Sequence, residues 1–358
     1  MAETIRWGVA GAGMMGLEHI ANLALTPGAV VVALADPFPE SLDRACAAVG
    51  HEAATFDSVE GLAASGLCDA VVVASPNFTH VDVLQPLFAA GVHILCEKPL
   101  ATTVADARAV AARAAAYDRV FWTAMEYRYM PPAAAFIERV HGGAVGNLRM
   151  LSIREHRFPF LVKVGDWNRF AANTGGTMVE KCCHFFDLMR LIVRAEPVRV
   201  FCSGATDVNH LDECYDGRVP DIIDNSFTVV DFDNGVRAML DLCMFAEGVE
   251  HQEEIVAVGD AARLDVLVPP GDLVTSPRTG FMAPKAVTRA HVAVDAAALA
   301  AGHHHGASFY SHAAFARAVR GQGPVEVTAD DGLRAVAMGV AAEVSAKERR
   351  VVAMSEVL

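Results

Sequence analysis

Short, continuously apolar segments alternate with alanine-rich segments over the first third of the chain. This alternation predicts parallel strands joined by crossover helices that cover both faces of the sheet. The predicted strands are residues 5–10, 30–35, 70–74, 93–96 and 120–124. The predicted helices are residues 16–25, 41–49, 80–90 and 104–117. We therefore expect an α/β domain with a doubly wound parallel sheet over residues 1–124.

From about residue 150 the pattern changes to longer strands in which apolar and polar residues alternate. Such alternation is typical of an antiparallel sheet with one covered face. The predicted strands are residues 148–155, 198–203, 224–232, 236–244 and 252–258, and the predicted helices are residues 178–193, 310–320 and 329–347. Residues 266–297 are punctuated by proline and glycine and receive no assignment. We expect an α+β domain over residues 125–358, built on an antiparallel sheet with one covered face, and its final helix can pack back on the first domain.

Chain length indicates the number of domains, and net charge argues against one class of partner. At 358 residues the chain exceeds the size at which one hydrophobic core usually stops growing, which favours two domains. The formal net charge of −14, from 29 basic and 43 acidic residues, repels phosphate backbones and argues against nucleic acid as a partner.

The sequence carries no sign of export, membrane insertion or metal binding. No basic segment followed by an apolar one opens the chain, and no apolar run approaches the roughly 20 residues that span a bilayer. We expect a cytoplasmic protein that neither spans nor binds a membrane. The eight cysteines form no CxxC pair, and the run His303-His304-His305 has no second group of ligands at a recognisable spacing, so no metal is predicted.

A glycine-rich turn follows the first predicted strand and opens the first predicted helix. Its sequence is Gly11-Ala12-Gly13-Met14-Met15-Gly16. In this position the first glycine permits a tight turn, the second lets a pyrophosphate approach the backbone, and the third lets helix and strand pack closely. The helix N-terminus adds amide donors and a positive dipole. The turn therefore predicts a dinucleotide site, and a purely structural turn is the alternative.

Asp36 ends the second predicted strand, 20 residues after Gly16. This is the interval typical of the acid that binds the adenosine ribose hydroxyls in dinucleotide-binding domains. Its charge would repel a 2′-phosphate, and Pro37-Phe38 supplies no adjacent arginine, so NAD is favoured over NADP. The alternative for Asp36 is a helix N-cap.

Polar residues follow the next two strands at the same edge of the predicted sheet, where open α/β sheets bind their ligands. Ser75 and Asn77 are placed to hold the nicotinamide ribose, and His80 either joins them or begins the next helix. Glu97 and Lys98 follow the next predicted strand, residues 93–96. A lysine beside a nicotinamide is suited to exchange a proton with a substrate hydroxyl, whereas a surface lysine is the alternative.

Glu180 and His184 are four residues apart on a helix that begins after Gly175-Gly176-Thr177. At 3.6 residues per turn they share one face, which the glycine-rich entry can direct at the cofactor. A histidine at this position can act as general acid and base or donate to an alcohol oxygen. The alternative is an ordinary Glu/His pair on a solvated face.

These features together resemble the Gfo/Idh/MocA oxidoreductases, a family that includes inositol dehydrogenases, glucose-fructose oxidoreductase and many sugar dehydrogenases. The resemblance spans almost the whole chain. It rests on the glycine turn, Ser75-Pro76-Asn77 with His80, Glu97-Lys98-Pro99, Tyr127-Arg128-Tyr129, Trp167-Asn168-Arg169, Gly175-Gly176-Thr177 with Glu180 and His184, and Asp331-Gly332-Leu333-Arg334-Ala335-Val336.

The resemblance implies a Rossmann domain that binds NAD, a second domain with a large open antiparallel sheet, and a homodimer or homotetramer. It implies that Lys98 is the catalytic lysine, with a cis peptide bond before Pro99, and that His184 is the catalytic histidine. The family usually has aspartate four residues before that histidine. Here Glu180 stands in its place, next to Lys181, which leaves its direct catalytic role open.

Further side chains are expected to approach a small polyhydroxylated substrate, because a sugar-like ring needs aromatic faces and several hydrogen-bonding groups. They are Arg128, His156, Arg157, Trp167, Arg169 and Tyr310. Each has the alternative of a surface or packing residue.

The sequence thus predicts an NAD-dependent dehydrogenase that oxidises a secondary alcohol of a sugar, glycoside or cyclitol, with Lys98 and His184 as proton-transfer groups. Two alternatives stay open. One is an enzyme that retains NAD and uses transient oxidation for elimination, glycoside cleavage or isomerisation, and the other is a non-catalytic NAD-binding regulator.

Overall fold

The computed structural model describes residues 3–358. The chain forms two compact units. Unit 1 holds the described residues up to Tyr129 together with Asp295–Arg334, and unit 2 holds Met130–Val294 and Ala335–Leu358. The assignment of substrate binding and self-association to residues 125–358 stays a prediction.

Unit 1 contains a six-stranded, fully parallel sheet. Its strands are β1 (Ile5–Ala10), β2 (Ala29–Ala35), β3 (Ala54–Phe56), β4 (Ala70–Val73), β5 (His93–Cys96) and β6 (Phe121–Thr123). Their order across the sheet is β3-β2-β1-β4-β5-β6. Because the order reverses between β1 and β4, the carboxyl ends of these strands form the crevice in which open α/β sheets bind ligands.

Helices connect the strands of this sheet. They are α1 (Met14–Leu25), α2 (Pro39–Val49), α3 (Val59–Ala64), α4 (His80–Ala90) and α5 (Val104–Ala115). Three-residue β3 and six-residue α3 did not emerge from the sequence pattern, since neither is long enough to show a clear period.

Unit 2 is built on a nine-stranded sheet of order β14-β13-β12-β11-β7-β10-β9-β8-β15. Its helices are α6 (Pro131–His141), α7 (Ala171–Thr174), α8 (Thr177–Glu180) and α9 (Cys183–Val193). Its strands are β7 (Leu148–His156), β8 (Pro197–Ala205), β9 (Asn225–Phe232), β10 (Arg237–Cys243), β11 (Glu253–Gly259), β12 (Ala262–Val268), β13 (Asp272–Pro277), β14 (Thr288–His291) and β15 (Val352–Ala353).

Two features of unit 2 correct the sequence predictions. The sheet is mixed, because β7 and β10 pair in parallel while the other neighbours pair antiparallel. The single helix predicted over residues 178–193 is two helices, α8 and α9, separated by Lys181 and Cys182. At this break the backbone N–H of Cys182 donates to the carbonyl of Thr177, five residues earlier, at 3.2 Å.

The chain returns to unit 1 after β14. This segment forms α10 (Ala296–Ala300) and α11 (Ala307–Val319), and α12 (Ala329–Glu348) then begins in unit 1 and continues in unit 2. Phe315 of α11 packs on Trp7 of β1 and Trp122 of β6, with ring centroids 5.1 and 6.0 Å apart. All three rings are fully buried, so the returning segment completes the core of unit 1.

Candidate functional site

The glycine turn after β1 has the geometry that a dinucleotide needs. Gly11 has φ +97°, and a Cβ there would lie 2.5 Å from the backbone nitrogen of Ser75. A Cβ on Gly16 would lie 2.1 Å from the carbonyl oxygen of Gly11. A Cβ on Gly13, by contrast, would have no neighbour within 4 Å. The fold itself therefore requires Gly11 and Gly16, whereas Gly13 leaves the N-terminus of α1 open to a ligand.

Asp36 is held at the carboxyl end of β2. Its side chain is buried, and its two oxygens accept the backbone N–H groups of Ala12 at 2.8 Å and Phe38 at 2.9 Å. The N-cap of α2 is Phe38, so Asp36 is not the cap that the alternative interpretation required. The Ala12 bond ties the carboxylate to the glycine turn.

Asn77 lies next to that edge, after β4. Its side chain is buried, and its Nδ2 has no hydrogen-bond partner among residues 3–358. A buried amide without a partner is costly, which indicates that a bound group completes its hydrogen bonding. Together with the open side of Gly13 and the absence of a side-chain cap on α1, this amide fits NAD. Met14 is exposed beside this opening, and Met15 and Ser75 are half-buried.

His80 is the first residue of α4 and is fully buried. Its ring nitrogens face the carbonyl oxygens of Pro99 at 2.9 Å and Ser75 at 3.1 Å. Burial lowers the pKa of this imidazole. His80 therefore links the loop after β4 to the loop after β5, and a direct contact with the cofactor stays a prediction.

Glu97 and Lys98 follow β5 at the same edge. The Glu97 carboxylate is buried, with Oε1 2.9 Å from His19 Nε2 and Oε2 accepting the Lys98 backbone N–H at 3.0 Å. Burial raises the pKa of Glu97, but the His19 hydrogen bond and the charges of His19 and Lys98 outweigh it and lower the pKa below its usual value. Lys98 is half-buried, and its peptide bond to Pro99 is cis, as the resemblance implies.

Glu180 and His184 lie on successive helices of unit 2. Glu180, the last residue of α8, is buried, and its Oε1 is 3.3 Å from Lys163 Nζ. The Lys163 ammonium also lies over the ring of Trp167, 4.5 Å from its centroid. This cationic contact places Glu180 and Trp167 in one cluster. His184 is buried in the first turn of α9, and its assignment to one site with Lys98 stays a prediction.

The other predicted substrate residues of unit 2 each contact a neighbouring side chain. His156 Nε2 is 3.1 Å from Asp241 Oδ1 on the sheet. The guanidinium of Arg157 lies 4.2 Å from the centroid of the Phe158 ring. Arg169 is buried, and its Nε donates to Glu213 Oε2 at 2.7 Å, which stabilises the loop that follows β7. A role for each in substrate binding stays a prediction.

Arg128 and Tyr310 belong to unit 1. The guanidinium of Arg128 donates to the carbonyl oxygen of Glu326 at 2.8 Å. Tyr310 is half-buried on α11 and packs edge-on against Phe309, with ring centroids 5.1 Å apart. A role for either residue in substrate binding stays a prediction.

Sequence reasoning missed two buried ionic groups. In unit 2, Lys181 Nζ is 2.9 Å from Glu155 Oε1, and Glu253 lies close enough for its charge to act on Lys181. In unit 1, His304 Nδ1 is 2.6 Å from Glu18 Oε1. The run of three histidines was the available signal for the second group. No cluster of three or more histidine, cysteine, aspartate or glutamate side chains within residues 3–358 is placed to hold a metal ion.

In the described part of the chain, every helix falls short of the length and apolar character that crossing a membrane demands.

Two family models match the chain. Residues 5–125 match a model described as an oxidoreductase family with an NAD-binding Rossmann fold, and residues 137–354 match the C-terminal α/β domain of the same oxidoreductase family. The predicted Rossmann domain and the predicted second domain are confirmed at the level of the fold.

The relatives include inositol dehydrogenases and a rhizopine catabolism protein. Inositol 2-dehydrogenase of Rhizobium meliloti (strain 1021) is 30% identical over 202 residues, which cover 56% of this chain and 59% of that protein. Rhizopine catabolism protein MocA of Rhizobium meliloti is 31% identical over 210 residues, or 56% of this chain and 62% of that protein. Myo-inositol 2-dehydrogenase of Thermotoga maritima is 29% identical over 239 residues, or 66% and 68%. The match thus spans about three fifths of the first two relatives.

Solved structures share the fold over nearly the full length. Levoglucosan dehydrogenase in complex with NADH and levoglucosan superposes with a TM-score of 0.87 at 19% identity, covering 98% of this chain and 100% of that one. A probable dehydrogenase from Thermotoga maritima superposes with a TM-score of 0.81 at 23% identity, covering 99% and 100%.

Proposed function

The chain belongs to the Gfo/Idh/MocA family of oxidoreductases, and from this premise we propose that it is an NAD-dependent dehydrogenase of a small polyhydroxylated compound. The substrate class is a sugar, glycoside or cyclitol with a secondary alcohol. The observation that carries the proposal is the common edge of unit 1 at which Gly13, Asp36 and Lys98 follow three parallel strands.

The residues of unit 1 would hold the cofactor in defined ways. The open N-terminus of α1 at Gly13 offers backbone N–H groups to the pyrophosphate. Asp36 accepts hydrogen bonds from the ribose hydroxyls, and its charge selects NAD over NADP. The Nδ2 of Asn77 gains the acceptor that it lacks in the protein alone.

Side chains of the protein carry out the proton transfer. Bound NAD⁺ supplies the hydride acceptor. Lys98 takes the alcohol proton, and the resulting alkoxide character favours departure of the hydride. We place His184 on the same hydroxyl as the second proton-transfer group. Glu180, with the longer side chain, orients the substrate, and the Lys163 contact fixes its position.

The proposal is tested by screening sugars, glycosides and cyclitols with NAD⁺ and NADP⁺ separately and following reduced nicotinamide by absorbance. We expect steady NADH formation with at least one polyol. Product formed without lasting NADH would instead indicate an enzyme that retains its cofactor.

The substitution Lys98→Ala should lower kcat by about 100-fold or more, because it removes a general acid–base group. Binding of NAD⁺, measured by calorimetry, should stay within about twofold, because the other cofactor contacts remain. Lys285→Ala is the matched control, since Lys285 is an exposed lysine on a loop of unit 2. A Lys98 variant with nearly normal turnover would refute the assignment.

A further inference from the structure

Unit 1 contains a group of buried acids and histidines around Glu97, which we call the acid–histidine cluster. Its members come from α1, the end of β5, the turn after β6, the loop before α11, and α11 itself. They are Glu18, His19, Glu97, Glu126, His304 and His312. Five of these side chains are buried, and only the His304 side chain, 23% exposed, reaches solvent.

Two short chains of contacts run through the cluster. In the first, Glu97 Oε1 is 2.9 Å from His19 Nε2, and His19 Nδ1 is 2.8 Å from His312 Nε2. In the second, Glu18 Oε1 is 2.6 Å from His304 Nδ1, and His304 Nε2 is 4.0 Å from Glu126 Oε1. Glu18 thereby fixes the orientation of the His304 ring, with Nε2 toward Glu126.

Glu97 and Glu126 are two carboxyl groups of unequal acidity. The His19 contact and the Lys98 backbone N–H stabilise the Glu97 carboxylate, and its pKa is lowered in spite of burial. Burial and the charge of Glu97 raise the pKa of Glu126 to about 7, against the opposing charges of His304 and Lys98. A pair whose environments separate their pKa values in this way divides the roles of fixed charge and proton carrier.

Lys98 is electrostatically coupled to both carboxyl groups, since its charge lowers the pKa of Glu97 and of Glu126. A small cavity of about 10 Å³, roughly the room that one water molecule needs, lies between Glu97, Glu126 and His312. Ser308 and Ser311 also line it, so two hydroxyl groups face the same cavity as Glu126.

We propose that Glu126 and His304 form a proton relay that connects Lys98 to solvent. This inference rests on the proposed function, in which Lys98 takes the alcohol proton. The Lys98 ammonium returns to the amine by giving that proton to the Glu126 carboxylate. The Glu126 carboxylic acid then gives it to His304 Nε2, and the imidazolium releases it to water. The hydride leaves separately to NAD⁺, so one alcohol yields one carbonyl, one NADH and one proton.

Glu18 and His312 support the relay without exchanging protons. The Glu18 carboxylate stabilises the imidazolium of His304 and stays ionised, because the contacts with His304 and His19 overcome the effect of burial and lower its pKa to about 2. His312 stays neutral, because burial and the charge of His19 lower its pKa well below the usual value. These two residues hold charge and hydrogen bonds in place and need not exchange protons.

The substitution Glu126→Gln tests the relay because it keeps the shape and removes the exchangeable proton. We expect kcat to fall by about 10-fold or more at low buffer concentration. This loss is smaller than the loss expected for Lys98→Ala, because Glu126→Gln retains Lys98. Affinity for NAD⁺ should be unchanged. Added imidazole should restore turnover in proportion to its concentration, whereas a merely structural defect would not respond to buffer.

His304→Ala provides a second test at the solvent end of the relay. Its kcat should also fall and recover with imidazole. His303→Ala is the matched control, because His303 belongs to the same histidine run and is exposed. Wild-type turnover in both Glu126→Gln and His304→Ala, without any dependence on buffer, would overturn the relay.

An infrared pH titration of the protein without substrate separates this inference from the proposed function. The difference between the wild-type and Glu126→Gln spectra should show a protonated carboxyl band that disappears near neutral pH. The band of Glu343, whose pKa is also raised to about 7, is present in both proteins and cancels in this difference. The midpoint should move to higher pH in Lys98→Met, because a positive charge near Glu126 is lost. If no sugar or cyclitol reduces NAD⁺, the proposed function fails, while the titration still decides whether Glu126 shares a proton with Lys98. A difference spectrum without such a band would overturn the relay.

Discussion

The glycines of the turn after β1 differ in what a side chain would meet. Gly13 has φ −77° and open space at its Cβ position, so alanine fits there without strain. We expect Gly13→Ala to fold like the wild type and to bind NAD⁺ at least about 10-fold more weakly, because the methyl group occupies the path of the pyrophosphate. Thermal unfolding and calorimetric titration measure the two effects.

Gly16→Ala is the matched comparison in the same turn. Its Cβ would lie 2.1 Å from the carbonyl oxygen of Gly11, so the turn must deform. We expect a loss of about 1–3 kcal/mol in the free energy of unfolding, the usual range for overpacking. Equal stability of the two variants would contradict this division of roles.

Some residue positions in the candidate site could be predicted from the sequence, and some residue contacts could not. Gly13, Asp36 and Lys98 were predictable because each follows a strand, and parallel strands bring their carboxyl ends to one edge. The partner of His304 was not, since Glu18 is 286 positions away in the sequence. Arg169 likewise pairs with Glu213, 44 positions away, and no local sequence pattern predicts either contact.

At the scale of elements, the break between α8 and α9 is the clearest departure from the periodic pattern. The apolar period continues across Lys181 and Cys182, so the sequence predicts one helix. The structure instead lets the Cys182 N–H reach the Thr177 carbonyl, which widens the turn locally. Just before α8, Gly176 has φ +88° and packs against Glu343 of α12, a tertiary contact that periodicity cannot indicate.

Glu343 connects α12 to the start of α8, where its Oε1 accepts the Met178 N–H at 3.0 Å. Burial raises its pKa to about 7. Between about pH 4.5 and 7 the folded protein keeps this proton, whereas the unfolded chain loses it. The free energy of unfolding that Glu343 contributes is therefore fully present below about pH 4.5 and is lost as the pH rises through 7. Glu343→Gln should match the wild type near about pH 4 and exceed it by about 2–3 kcal/mol near pH 8.

Chemical denaturation at the two pH values measures this difference. The glutamine side-chain oxygen keeps the acceptor for Met178, so loss of that hydrogen bond does not complicate the comparison. A variant whose advantage is the same at both pH values would show that Glu343 is not protonated in the folded protein.

Strands with a clear alternation were predicted closely, as β9 and β10 show, because each has one covered face. The strands within residues 266–297 were left unassigned, since proline and glycine interrupt the alternation around β13 and β14. The parallel pairing of β7 and β10 was also missed. Pairing direction depends on the path of the chain between strands rather than on the pattern within them.

At the scale of the whole molecule, the outer face of the nine-stranded sheet carries a connected apolar surface. Phe201, Val229 and Met239 are neighbours across β8, β9 and β10, and all three are exposed. Phe227 lies on the same face of β9 with 61% of its surface exposed. A contiguous apolar patch of this kind favours burial against a second copy of the chain.

We expect the protein to be a homodimer or homotetramer, and Phe227→Asp to lower the mass measured by light scattering after gel filtration. A charge on this face would be buried without a partner at the interface. Phe281→Asp is the matched control, because Phe281 is fully exposed on the loop between β13 and β14. An unchanged mass for Phe227→Asp would exclude this face as the interface.

The return of the chain to unit 1 has a consequence for biosynthesis. Trp7 and Trp122 are covered by Phe315, and the ribosome adds this residue only after every strand of unit 2 except β15. A nascent chain that has emerged as far as β6 therefore presents two large aromatic rings to solvent or to chaperones. The cofactor-binding half is finished late in translation although most of it is made first.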